Sequence, residues 1–287
     1  MFKNLSVGAI GIRGMALPGQ IALAHQTGFV GIDFDIREAA RLAEAHGVEY
    51  VRDLFAQAGV KPGQWGLPVA WNKDDQWEAD LAELPRLAAV GRALGCTRTA
   101  TWCPPASDTR PFAENFAWHV ARLRPIAQVL QDAGCRFGIE FIGPKTLRAN
   151  RKYEFIYTLD GMMELAAAIG TGNVGLLLDA WHLYTSGGTA ADLDKIRADD
   201  IVTVHVNDAP AGIARDELVD NVRCLPMETG VIDLPAFMRK LAQLGYDGPV
   251  TPEPFSERVN QIASQDPLQA AQITAQAMDQ LWRASGL

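Results

Sequence analysis

Cysteine is scarce in this 287-residue chain. There are four, Cys96, Cys103, Cys135 and Cys224, with no CxxC spacing. That pattern excludes a disulfide framework, a structural zinc motif and a dithiol redox pair, and leaves the four as small apolar residues. Positive charge is also in short supply. Lys and Arg number 26 against 34 Asp and Glu, a net charge of −8, so the basic footprint of a nucleic-acid-binding protein is missing and no nucleic-acid partner is expected. No run of about 18 apolar residues occurs, so no membrane span is expected. The first twenty residues lack the uninterrupted apolar core of a secretory signal; they are expected to hold a first strand, and the compartment is expected to be the cytoplasm. The glycine fingerprint of dinucleotide-binding folds is absent too: Gly8, Gly11 and Gly14 form GxxGxxG, not GxGxxG. What remains is ordinary globular composition, 48% hydrophobic and 21% charged, which excludes disorder and coiled coil. Area scaling predicts a folded surface of about 12,000 Å² against about 45,000 Å² unfolded, enough burial for a large core without staples.

Short apolar runs alternate with longer amphipathic ones along the chain. Strands are expected at Leu5–Ile12, Gly31–Asp35, Gln64–Ala70, Arg98–Cys103, Phe137–Gly143, Asn173–Ala180, Ile201–Asp208 and Gly248–Phe255. Helices are expected between them: Pro18–Gly28, Ile36–Gly59 with a split at Gly47, Gln76–Gly95, and Pro111–Gly134 broken or kinked at Pro125. Further on come Leu159–Gly170, a short helix Thr189–Ile196, Leu234–Gly245 capped by Asp233, and Pro267–Arg283. Eight such units of about 36 residues, with no Gly/Ser-rich linker, predict a parallel sheet with right-handed crossovers. The expected fold is therefore α/β, one (β/α)8 TIM barrel covering residues 1–287 as a single domain. A doubly wound open sheet is the alternative.

In a barrel of this kind the strand C-termini build the active site, and period-two alternation decides which side chains point inward. Each of the last four strands places one strong ligand near its end: Glu140, Asp179, His205 and Glu253, separated by 39, 26 and 48 residues. Three carboxylates converging there would repel one another, and no Lys or Arg lies at comparable positions in these strands. A divalent cation resolves the repulsion. Three oxygens and one imidazole suit Mn, Co, Mg or Zn better than a soft metal. The alternative assigns each group to a separate salt bridge with a loop arginine.

The run GIEFIG, then LLLDAWH, VHVND, GVIDLPAF and GYDGPVTPEPF resembles the xylose isomerase-like TIM-barrel superfamily of sugar phosphate isomerases and epimerases, related to AP-endonuclease family 2. The resemblance covers essentially the whole chain. It implies one divalent metal ion held by Glu140, Asp179, His205 and Glu253, with Glu140 and Glu253 also moving protons. His182, three residues after Asp179, matches a substrate-contacting histidine. The family's epimerases often carry an Arg a few residues after the seventh-strand His; here Asp208–Ala211 holds none, and Arg215 and Arg223 follow later. The segment RCLPMETG resembles one that lines the site, which makes Arg223 a candidate for substrate binding.

Other residues lie around the expected mouth. Trp71, Trp102 and Trp181 follow strand ends and would either stack on a sugar ring or pack internally. Lys145 and Arg148 follow the fifth strand and would bind an anionic group or stay solvated. The function expected is metal-dependent isomerisation or epimerisation of a ketose or sugar phosphate through a cis-enediolate, with a carbohydrate or polyol substrate and a homodimer or homotetramer as the assembly. The alternative is an inosose- or dehydroshikimate-type dehydratase on the same metal site, with His182 as the acid. An AP-endonuclease-like phosphodiesterase is disfavoured by the acidic balance and by a total of five histidines.

Overall fold

A computed structural model of the protein describes all residues, Met1–Leu287. Eight parallel strands close into one barrel: β1 Phe2–Leu5, β2 Gly31–Phe34, β3 Lys61–Gly66, β4 Arg98–Cys103, β5 Arg136–Phe141, β6 Val174–Asp179, β7 Ile201–Val206 and β8 Pro249–Pro252. Each strand bonds to its neighbours in sequence, and β1 pairs with β8 to complete the ring. The accessible surface, 12063 Å², agrees with the value expected from chain length alone.

Ten α-helices accompany the strands: α1 Leu17–Thr27, α2 Ile36–His46, α3 Val48–Ala58, α4 Trp77–Ala93, α5 Phe112–Asp132, α6 Leu159–Ile169, α7 Ala180–Thr185, α8 Leu234–Leu244, α9 Glu257–Gln265 and α10 Pro267–Ser285. The layer between sheet and helices is apolar. Helix α8 shows why. Asp233 caps it by accepting from the Ala236 amide at 3.0 Å, and Gly245 closes it in the left-handed conformation. Leu234, Phe237, Met238 and Leu241 form its buried stripe, worth roughly 6–12 kcal/mol of gross burial. Gly47, at φ 90°, ends α2 and starts α3, so the long helical stretch divides there as expected.

Several boundaries differ from the sequence reading. The first strand lies earlier, and Gly8–Ile10 is a 3-10 turn, because the apolar side chains of Ile10 and Ile12 pack on the core from outside the ladder. The third strand lies at Lys61–Gly66, not Gln64–Ala70. Helix α5 runs unbroken through Pro125. Ala121, whose carbonyl loses its partner there, is exposed, so water can satisfy it. Elements not expected from the sequence include α7, six residues directly after β6, α9, and an antiparallel pair of two-residue strands, Ala106–Ser107 with Tyr153–Glu154. No helix is long and apolar enough to cross a membrane.

Candidate metal and active site

The inward alternation of the last four strands brings Glu140, Asp179, His205 and Glu253 together at the barrel mouth. One donor atom from each lies within 4.8 Å of every other. Cross-strand register does this: Asp179 pairs with His205, and His205 with Thr251, two residues before Glu253. Glu253 lies one residue beyond β8, with its amide bonded to the Val206 carbonyl at 3.0 Å. Asp179 is fully buried and also caps α7 by accepting from the Trp181 amide. Asn207 Nδ2 donates to the same Asp179 oxygen at 3.1 Å.

The counter-charge missing from these strands comes from the loop after β7. Arg223, 4% exposed, places Nη1 2.8 Å from Asp179 Oδ2 and 3.0 Å from Glu253 Oε2, while Nη2 bonds Asp220 at 2.8 Å. Its guanidinium lies 5.2 Å from the Trp181 ring and 5.0 Å from that of Phe255. Phe255 itself holds a positive φ of 38°, a strained conformation at the cavity wall. Arg223 therefore joins two of the acids in one network; the picture of separate salt bridges does not describe the site.

Charge is divided unevenly among the acids. Burial pushes Glu140 well above the usual carboxylate range, and Glu253 and Asp179 add to this. Burial acts on Glu253 in the same sense, but His205 and Arg223 outweigh it and lower its pKa. Burial would lower His205; Glu253, Glu140 and Asp179 overcome that and raise it to about 10. His182 is held well below its ordinary value by burial, then by Arg223 and His205. Two donors face its ring: the Gly143 amide lies 3.1 Å from Nδ1, and Arg223 Nη2 lies 3.2 Å from Nε2, which is also 3.7 Å from Glu140 Oε1. Donors at both ring nitrogens disfavour a second proton and agree with a neutral ring.

These residues fit a divalent cation. Glu140 Oε1 and His205 Nδ1 are buried without a hydrogen-bond partner. His205 Nδ1 lies 3.4 Å from Glu253 Oε2 and 4.0 Å from Glu140 Oε1, so both unpartnered atoms face the same space. Two orphaned donors converging among carboxylates leave lone pairs that a hard or borderline ion would use.

A cavity of about 560 Å³ opens onto this cluster. Trp102, Pro104, Pro105 and Phe255 form an apolar wall; Glu140, Glu253, His182 and Arg223 form the polar floor; Asp220, Asn221 and Arg151 stand at the rim. The structure places three of the residues expected around the mouth elsewhere. Trp71 is 4% exposed, packed on Trp118 and His119, with Nε1 bonded to Thr101. Lys145 is exposed and paired with Asp216 at 2.7 Å, outside the cavity lining. Trp181 packs beneath Arg223 without touching the cavity. Asp220 was not anticipated as a site residue; it stands three residues before Arg223, a spacing that could have suggested their pairing.

The model of the xylose isomerase-like TIM barrel matches residues 8–282, and the chain belongs to that family. It is 28% identical over 254 residues to the inosose isomerase of Halalkalibacterium halodurans, an alignment spanning 85% of this chain and 86% of that protein. The structure superposes on a xylose isomerase domain protein from Alicyclobacillus acidocaldarius with a TM-score of 0.87 at 28% identity, covering both chains fully. It also superposes on an IolI protein with a bound zinc atom, with a TM-score of 0.78 at 19% identity and both chains fully covered.

Proposed function

We propose that the protein is a divalent-metal-dependent isomerase or epimerase of an uncharged polyhydroxy ketone. The observation that carries this is the pair of unpartnered buried atoms, Glu140 Oε1 and His205 Nδ1, facing two further carboxylates at a cavity floor. Glu140, Asp179, His205 and Glu253 would hold the ion, which when bound supplies Lewis acidity to adjacent carbonyl and hydroxyl oxygens. The similarity to an inosose isomerase over most of the chain and the zinc in a fold neighbour support the reading.

The chain's own residues then divide the proton transfer. Glu253, kept ionised by His205 and Arg223, takes the proton from the carbon beside the carbonyl. Glu140, the other acid–base candidate, returns a proton at the neighbouring carbon or on the opposite face. The negative charge that develops between these steps faces the Arg223 guanidinium. His182, held neutral by burial and by Arg223, is a poor acid for expelling hydroxide, which favours isomerisation over dehydration. Substrate charge follows from the lining. Arg223 is already paired with buried acids, and the other lining cation, Arg151, is a half-exposed residue that pairs with Asp108 at 2.9 Å, so the cavity floor holds no unpaired cation for a phosphate or carboxylate. The apolar wall suits the C–H face of a sugar or cyclitol.

The test is to load the protein with Mn²⁺, Co²⁺, Mg²⁺ or Zn²⁺ and incubate it with ketoses, inososes and their phosphorylated or carboxylated analogues. Product of unchanged mass from an uncharged ketone is expected; loss of one water would mean dehydration. Glu140→Gln and Glu253→Gln should each lower kcat at least about 100-fold. Near-normal turnover in either variant overturns the assignment.

A further inference from the structure

The face of His205 turned away from the carboxylates is tied to a row of polar side chains that crosses the barrel interior. His205 Nε2 lies 3.3 Å from the side-chain amide of Gln64 on β3. The nitrogen of that amide, the atom facing His205, also donates to Asp33 Oδ2 on β2 at 3.1 Å. Asn4 on β1 donates to Asp33 Oδ1 and, at 2.9 Å, to Thr251 Oγ1 on β8. Gln64 is 7% exposed and Asn4 is fully buried. Two glycines make room for the row: a Cβ on Gly63 or Gly31 would strike Asn4 Oδ1. Buried amides are costly where apolar side chains would pack, so this row needs a role that apolar packing would not fill.

The imidazole shows what that role is. For Nδ1 to offer its lone pair to a cation, a neutral ring must carry its proton on Nε2, and that N–H needs an acceptor. Gln64 Oε1 is buried without a partner, one half-turn of the amide away from His205 Nε2. Turning the amide over brings the orphaned oxygen to the ring N–H. The same turn takes the amide nitrogen off Asp33, so Asp33, raised by burial to about 6, must take up a proton and donate it to that oxygen.

We propose that Gln64 is a positioning residue: it accepts the Nε2 proton of His205 and so fixes the tautomer and ring orientation that direct Nδ1 at Glu140, Asp179 and Glu253. Asp33 and Asn4 hold Gln64 in place. The proposal rests on the metal reading above.

The test is calorimetric titration of Zn²⁺ into wild type, Gln64→Leu and Gln64→Glu, with ¹⁵N-histidine NMR of the zinc-loaded proteins and thermal melts in chelator. Gln64→Leu should bind Zn²⁺ about 10- to 100-fold more weakly, the usual cost of losing a ligand's orienting partner. Gln64→Glu, which still accepts the proton, should stay within about threefold of wild type. The NMR should show His205 protonated at Nε2 in both wild type and Gln64→Glu. A folded Gln64→Leu that binds Zn²⁺ like wild type overturns the proposal, as does equal loss in Gln64→Glu or a proton on Nδ1. Wild type that binds no Zn²⁺ would overturn the metal reading as well, which separates the two failures.

Discussion

Replacing Arg223 with Met tests whether the guanidinium and a divalent ion serve the same carboxylates. Met keeps most of the length and the contact with Trp181 and Phe255 but removes the charge. Asp179, with no exposure to water, would lose its bonded cation, and Glu253 would lose one of two. Breaking a buried ion pair from one side costs about 3–5 kcal/mol. Unfolding entropy of about 2.1 cal/mol/K per residue gives a chain of this size about 0.6 kcal/mol/K, so Tm should fall by about 5–8 °C. The assay is a thermal melt of both proteins, first in chelator and then with saturating Mn²⁺. In chelator the full gap is expected. With Mn²⁺ it should narrow, because the ion supplies positive charge to the same two acids. A gap below about 2 °C in chelator would refute the buried-pair reasoning. A gap that Mn²⁺ leaves unchanged or widens would refute the idea that Arg223 and the ion share those acids.

Other consequences can be checked separately. Metal binding has to displace the proton that His205 holds up to a pH of about 10, so Zn²⁺ or Mn²⁺ affinity should rise steadily between pH 6 and 8; calorimetry showing a flat profile would contradict this. Buried His119 is pushed down to about 4 from an unfolded value of 6.5, so between these pH values the unfolded chain binds more protons. Stability should therefore be lost as pH falls from 6.5 to about 4, by up to about 3 kcal/mol from this group. Urea unfolding of His119→Phe should show a correspondingly shallower pH slope; a slope equal to wild type would count against it. Trp102, 49% exposed on the cavity wall, should contribute stacking energy of about 0.5–1.5 kcal/mol. Trp102→Ala should raise KM about 2- to 10-fold with kcat nearly unchanged; a fall in kcat alone would argue against simple stacking.

Much of this architecture was legible from residue patterns. Arg98–Cys103 is a strand with those bounds, and the in-out alternation of Thr203, His205 and Asn207 survives in β7 and the residue after it. Glu140, Asp179, His205 and Glu253 stood out because charged groups at the ends of apolar strands have few bland explanations. Residues brought in by non-local contacts were harder to read. Arg223 lies in a loop of irregular backbone, and periodicity says nothing about where such a loop folds back; Asp208 decides it, accepting from the amides of Ala209, Thr229, Gly230 and Ile232. The polar row of Asn4, Asp33 and Gln64 was hidden for another reason. Its members sit on the first three strands, and two of those were read several residues late, which obscures which side chains point inward. Trp71 was misleading because an aromatic after a strand serves equally well as packing, and its indole N–H found Thr101. Helix α7 escaped because six residues give too short a window for a 3.6 period.

The central claim is that Glu140, Asp179, His205 and Glu253 form one metal centre. A crystal of the protein soaked in Mn²⁺ and measured at the manganese absorption edge tests it most directly. The account predicts one anomalous peak per chain, about 2.0–2.3 Å from a carboxylate oxygen of each acid and from His205 Nδ1. No peak at that position in a soaked, well-ordered crystal, with Arg223 still bridging Asp179 and Glu253, would contradict it.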